Sequence, residues 1–321
     1  MLRYLIRRIL WAMVLFLVIT IVTYVIFFII PVNPAKLACG QRATDTCIKS
    51  AQHTLGLDRP IYVQYLKFMD RLVIHHNLGK SFVTRQSVNK TVLAAAPVTA
   101  SLVFGGALLW LSISLPIGIL SALKPRSLLD RTSMFFVLVG ISAHPVWIGL
   151  IFSYVFGAKL QWTPITGYCD FINPSTDCGG PVQWAYHLVL PWMTFAILFA
   201  ALYVRLIRAS VMEISSEDYV RTARAKGASE TRVVVAHVLR NALLPIVTIL
   251  GLDIGVALGG AIFTETVYSL PGLGQTALGS IQSFDLPITQ GIVIFATLSI
   301  ITFNLVVDVL YSVVDPRIRL N

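Results

Sequence analysis

Charge is scarce in this sequence. Of 321 residues only 12% are charged and only 15 are acidic, too few to solvate the surface of an ordinary water-soluble domain. No period of roughly 20 to 50 residues repeats, which argues against a solenoid. G-x-S-x-G, H-E-x-x-H and paired intramembrane carboxylates are missing, so nothing supports a membrane hydrolase or protease and no catalytic residue is assigned. No C-x-x-C or Cys/His constellation is visible, and no metal site is expected. Gly79-Lys80-Ser81 imitates the end of a phosphate-binding loop, but Ile74 stands where that loop needs its first glycine. No cofactor is therefore expected on this chain.

What is present is apolar. Hydrophobic residues make up 56% of the chain and mean hydropathy is +0.77, so an all-α polytopic membrane protein is expected. Six runs approach the roughly 20 residues that cross a bilayer: 9–30, 97–123, 132–157, 188–204, 242–263 and 288–307. The first is too long for a signal-peptide core and is followed by no small-residue cleavage pattern, so it is expected to stay as an anchor. The net charge of +10 would suggest nucleic acid in a soluble protein. Here the cations follow topology instead. With the N-terminus cytoplasmic, fifteen of the 25 Lys and Arg fall on the inner side, and the two short outer loops, 158–187 and 264–287, carry Lys159 alone. Both termini are expected on the inner side of the membrane, with no nucleic-acid partner.

All four cysteines, Cys39, Cys47, Cys169 and Cys178, fall on the side expected to be external, where disulfides persist. Local pairs 39/47 and 169/178 fit the spacing; free thiols or pairing between the loops are the alternatives. In the long first outer segment, Asp58 and Pro60 signal a helix start, and Tyr62, Tyr65, Leu66, Met69 and Val73 recur at spacings of three or four. That pattern predicts an amphipathic helix lying on the protein's own outer face or on the membrane surface. The expected division is a first span with outer segment, 1–96; a membrane core, 97–314, including an inner loop, 209–241; and a tail, 315–321.

Ionisable residues inside spans are functional candidates. Asp253 fits either a translocation path or a hydrogen bond to a neighbouring helix, and Asp308 marks the inner end of the sixth span. His144, beside Pro145, fits the backbone groups freed at a proline kink. The inner loop has the syntax of two short helices: Ser215 and Asp218 as a start, Gly227 as a left-handed stop, Ser229 and Glu230 as a second start. Tyr219, Ala223 and Gly227 share a face, rimmed by Arg221, Arg224 and Lys226. Such a face suits a groove on a cytoplasmic partner; contact with anionic lipid heads is the plainer alternative. An ion-coupled carrier working alone, the rival class, needs charge relays and broken helices in paired halves, neither of which is evident.

At these residues the chain resembles a known family. "RTARAKGASETRVVVAHVLRN" (221–241), followed by "ALLP", is similar to the EAA loop of permease subunits in bacterial ATP-binding-cassette importers, in the dipeptide and oligopeptide branch with a MetI-like core. "LGLDRPIYVQY" (55–65), "LGKSF" (78–82), "ETVYSLPGLGQTAL" (265–278) and "VVDPRIRL" (313–320) match in the same order. Arg221-Thr222-Ala223 replaces the general Glu-Ala-Ala, Asn77 replaces a common aspartate, and the paired cysteines are not a family feature. The resemblance implies a second paralogous permease, two ATPase subunits that use ATP, and an external substrate-binding protein. The turn at Gly227 would be the coupling element, and peptides the cargo. Related systems carry nickel, glutathione or haem.

Overall fold

The computed structural model describes residues 2–29, 34–39, 44–55, 60–172 and 178–314. Among them no β-strand is found. α1 (Leu2–Ile29) is apolar beyond Arg8, and its span Ile6–Ile26 is almost wholly uncovered by the rest of the chain, as a lipid-facing anchor must be. α2 (Pro34–Cys39) and α3 (Asp45–Leu55) follow, then α4 (Ile61–Val73). The centre of the molecule is the pair α5 (Val88–Leu123) and α8 (Pro181–Ser215). Small residues let their backbones approach: a Cβ on Gly118 would lie 2.8 Å from Ile207, and one on Gly106 2.7 Å from Phe195. Trp110 of α5 stacks on Phe199 of α8 at 4.6 Å between centroids, with Phe195 and Tyr203 around it.

Four helices are long and apolar enough to cross a membrane, and six segments are if two bent pairs each count as one span. The run 132–157 is not one rod. α6 (Leu128–Ser142) and α7 (Pro145–Lys159) meet at 102°. Pro145 cannot donate into a continuing helix, so it takes the first position of a new one, and the His144 side chain accepts from Val146 N at 3.3 Å. The expected backbone role of His144 at a proline break is thus met, with a larger bend than a kink. The run 242–263 is also divided. α9 (Asp218–Ala225) leads to α10 (Glu230–Ala242), which is bent by 44° from α11 (Leu244–Ala257). The chain then breaks around Gly260, at φ +134°, where a Cβ would meet the Gly274 backbone at 2.6 Å. α12 (Ile262–Val267), α13 (Leu273–Gln282) and the long α14 (Leu286–Val314) complete the unit. The sequence predicts a kink at Pro145 but none near 242–244 or Gly260, where the structure adds breaks.

Asp58 lies outside the described residues, and α4 begins at Ile61 with Pro60 before it. The helix does pack on the protein's own surface, through a stripe that keeps Tyr65 and Met69 of the expected one but is centred on Gln64 and Phe68. Tyr65 Oη is 3.0 Å from Thr20 Oγ1, Tyr24 Oη donates to Gln64 Oε1 at 3.3 Å, and Phe68 is buried against Tyr24. Tyr62, Leu66 and Val73 stay exposed. Polar groups near α1 decide this, because Gln64 and Tyr65 find partners there that Leu66 cannot use.

Charged residues tie the helix ends. Ser81 of the "LGKSF" turn is buried and donates to Asp285 Oδ2, while Phe82 N donates to Asp285 Oδ1 at 3.0 Å. The phosphate-loop look-alike is thus a structural turn against the start of α14. Arg8 of α1 pairs with Asp308 of α14. Asp130 at the start of α6 is buried against Arg208 of α8, with Nε–Oδ1 at 2.6 Å and Nη2–Oδ2 at 2.9 Å.

Candidate functional site

The turn around Gly227 forms as its residues predict. Gly227 has φ +77°, its N–H donates to Arg224 O at 2.9 Å, and Ala228 N donates to Ala223 O at 3.3 Å. This pair of bonds stops a helix with a left-handed glycine. Ser229 then precedes α10. The start of α9 differs from expectation: Ser215 ends α8, its Oγ donating to Val211 O at 2.6 Å, and Glu217 takes the cap position. α8 ends at Ser215, about three turns past the apolar run 188–204.

The supposed single outward face divides. Val220 is fully buried, and Ala223 packs against the same buried cluster, so Ala223 serves the inner side of α9. Tyr219 turns along the surface, its Oη accepting from Asn241 Nδ2 at 2.8 Å and donating to His237 O at 3.4 Å. Arg224 spans the turn to Glu230, with Nη2–Oε1 at 2.7 Å and Nε–Oε2 at 3.1 Å, and so closes the helix-turn-helix on itself. Arg221, Thr222, Ala225, Lys226 and Gly227 are left facing outward. No atom lies within 4 Å of a Cβ built on Gly227. A partner would meet two cations and a flat backbone there.

Asp253 is half-buried and accepts from Tyr203 Oη at 2.7 Å. Gly251 and Gly255, each two residues away, press α11 onto Val307 and Ile300 of α14. Helical geometry therefore turns Asp253 away from α14 and towards α8. A hydrogen bond to a neighbouring helix is present.

Glu265, which the sequence offered only as part of a matching motif, proves to be a fully buried organiser. It accepts from Thr99 Oγ1 at 2.8 Å, Gln275 N at 2.9 Å and Ala261 N at 3.2 Å, while Thr99 Oγ1 accepts from Leu273 N at 2.8 Å. One carboxylate thus caps the start of α13 from outside and ties it to α5. Burial pushes its carboxyl above the usual range, against the hydrogen bonds from Gln275, Thr99 and Ala261. The glycines of "PGLG" are space for this group: a Cβ on Gly272 would sit 2.5 Å from the Glu265 carboxyl carbon. Glu265→Leu is expected to lower stability by about 3–5 kcal/mol, since several buried donors lose their acceptor at about 1–3 kcal/mol each. Equilibrium unfolding in mixed micelles measures it, and a loss below about 1 kcal/mol would mean water replaces the carboxylate.

Both cysteine pairs are local, Cys39–Cys47 and Cys169–Cys178, with Cα–Cα distances of 6.1 and 5.3 Å. The chain also brings His187 of α8 to Cys169, with Nδ1 3.2 Å and Nε2 3.6 Å from Sγ. The sequence showed no Cys/His constellation because His187 lies in a different element, 18 residues from Cys169.

A helical membrane unit with a basic, internally braced helix-turn-helix at one end defines a permease-type membrane subunit. The chain belongs to the binding-protein-dependent transport system inner membrane component family, whose model matches residues 114–320, with the family's N-terminal model matching 1–103. It is 38% identical over 99% of both chains to the di/tripeptide transport system permease protein DppB of Pseudomonas aeruginosa. To the dipeptide permease DppB of Escherichia coli it is 35% identical over 99% of both, and to that organism's probable D,D-dipeptide permease DdpB 37% identical over 96% of this chain and 95% of that one. In fold it is similar to a solved chain of the MetNI methionine ABC transporter, with TM-score 0.51 at 15% identity, covering 70% of this chain and 96% of that one. Family membership makes it a permease subunit of the bacterial inner membrane, with ATPase subunits and a substrate-binding protein as partners.

Proposed function

We propose that this chain is one of two permeases in an ATP-driven importer of di- and oligopeptides. The observation that carries the cargo class is identity along nearly the whole chain to permeases named for dipeptides. In this reading a second paralogous permease completes the path, two ATPase subunits sit below, and an external binding protein delivers the peptide. Residues 1–96 are the first span and outer elaboration, 97–314 the core, 209–241 the coupling loop and 315–321 the tail, with both termini cytoplasmic. The outward surface of α9, from Arg221 to Gly227, seats in the ATPase cleft. Ala223, Arg224 and Tyr219 brace it from behind, so that closure of the ATPases moves α8 and α10 as one body. Asp253 lines the path on the α8 side of α11, since a half-buried carboxylate is too costly against lipid.

Bent helices, which the carrier alternative requires, do occur in both divided spans. A relay of ionisable groups does not accompany them among the described residues: the hydrogen bond of Asp253 leads to Tyr203, which is held in an aromatic cluster. Proteoliposomes holding the whole complex test the proposal. Labelled dialanine is expected to accumulate only with ATP and binding protein together. Uptake of nickel, glutathione or haem in its place would reassign the cargo, and ion-driven uptake by this chain alone would reject the class.

A further inference from the structure

A disulfide and an imidazole converge at the mouth of α8. The donor atoms of Cys169, Cys178 and His187 all lie within 4.8 Å of one another. Their supports come from separate elements. Tyr168, beside Cys169, has its Oη 3.3 Å from Ser101 Oγ of α5, and Trp184 of α8 donates from Nε1 to the same Ser101 oxygen at 3.2 Å. Gly167 N donates to Tyr268 O at 3.2 Å. Cys169 itself is buried, and Cys178 and His187 are half-buried.

The backbone partner of the imidazole fixes its tautomer. His187 Nδ1 lies 2.9 Å from Gln183 O. A carbonyl only accepts, so Nδ1 carries the proton and the lone pair is left on Nε2. A carbonyl behind the ring is the usual outer support of a metal-bound histidine. In the disulfide form Cys169 Sγ lies 3.6 Å from Nε2 and nearer, 3.2 Å, to Nδ1, so it rests against the ring and must rotate towards the Nε2 lone pair to share an ion with it. Tetrahedral zinc, with bonds of about 2.3 Å to sulfur and about 2.0–2.1 Å to nitrogen, needs an N···S separation of about 3.5 Å. The Cα–Cα distance of 5.3 Å between the cysteines lets both sulfurs reach one ion after side-chain rotation.

We propose that reduction of the Cys169–Cys178 disulfide converts this corner into a Cys2His site for a soft-to-borderline divalent cation, zinc above all, with a fourth position left for water. A phosphine reductant performs the first step in the test. It cleaves the S–S bond to two thiols and leaves as the phosphine oxide, water supplying the oxygen and the two protons. The cation then binds as two thiolates form, releasing two protons. The outer loop exchanges a covalent tie for a metal tie between the same two cysteines, with α8 added as a third anchor.

The test uses the full chain in detergent with Cys39→Ser and Cys47→Ser, so that one cysteine pair remains, and cobalt(II) as the probe. Phosphine-reduced protein is expected to bind one equivalent with thiolate-to-cobalt charge-transfer bands and tetrahedral ligand-field intensity, displaced by zinc. The oxidised form of the same chain is expected to show none, which is a comparison independent of folding differences between variants. His187→Gln, which keeps a polar side chain, is expected to weaken cobalt binding at least about tenfold, the lower end of losses from a perturbed metal shell. A thiolate-free octahedral spectrum, equal binding by oxidised and reduced chain, or unchanged affinity in His187→Gln would each refute the site.

Discussion

Arg208→Ala is expected to lower the stability of the membrane core by about 3–5 kcal/mol, the usual cost of leaving one partner of a buried ion pair alone. Asp130 is 4% exposed. It accepts from Arg208 Nε and Nη2, from Ser121 Oγ at 2.5 Å and from Arg126 N at 2.9 Å. Alanine removes both guanidinium donors and the paired cation, leaving a desolvated carboxylate with two neutral donors. The defect is not local, because the pair joins the α5–α6 corner to the end of α8, directly before α9. Arg208→Lys is expected to recover part of the loss, since an ammonium restores the charge but not the two-pronged geometry. The double variant Arg208→Met/Asp130→Asn is expected to be more stable than Arg208→Ala alone, as it leaves no unpaired charge. Equilibrium unfolding in mixed micelles gives the values. A loss for Arg208→Ala below about 1 kcal/mol would place the pair with solvent-screened surface bridges instead.

Gly227→Trp is expected to leave the fold nearly intact and to abolish transport. The backbone cost is that of a side chain at φ +77°, about 1–2 kcal/mol. Nothing in this chain lies within 4 Å of the new Cβ, so no internal clash adds to it. The indole instead projects from the proposed docking surface. ATP-driven uptake by the whole complex is expected to fall about thirtyfold or more, the effect of losing about 2 kcal/mol at a docking centre. ATP hydrolysis is expected to lose its response to loaded binding protein. Gly227→Ala separates the two causes, because it carries the backbone strain without the bulk and is expected to retain most of the uptake. Normal uptake by the tryptophan variant would remove this surface from the coupling assignment.

Particular residues show how far the sequence was legible. Gly227 was readable as a helix stop because a positive φ favours glycine and the flanking residues start and end helices. Long apolar runs announced the membrane helices, because an unbroken stretch of that length has few other uses. Ala223 misled because periodicity says which residues share a face, not what the face meets. Arg224 looked like a rim cation and is held by Glu230, a partner six residues on that helical spacing does not predict. The bend at His144–Pro145 was visible as a kink, but its 102° amplitude was not. That angle depends on what α7 packs against, and α7 meets α8 and α12.

Composition and order of residues by themselves determined that this chain is helical, membrane-bound and turned at Gly227, and they carried its likeness to permeases. Each of these depends on properties local to a segment: transfer free energy along a run, or the conformational freedom of one residue. Tertiary structure alone decided which buried groups meet. Asp130 finds Arg208, Ser81 finds Asp285, Thr99 finds Glu265 and Cys169 finds His187, across separations from 18 to 204 residues. The physical reason is desolvation: a polar group taken out of water must find a partner, but that requirement is met by whichever group the packed helices bring within hydrogen-bonding reach.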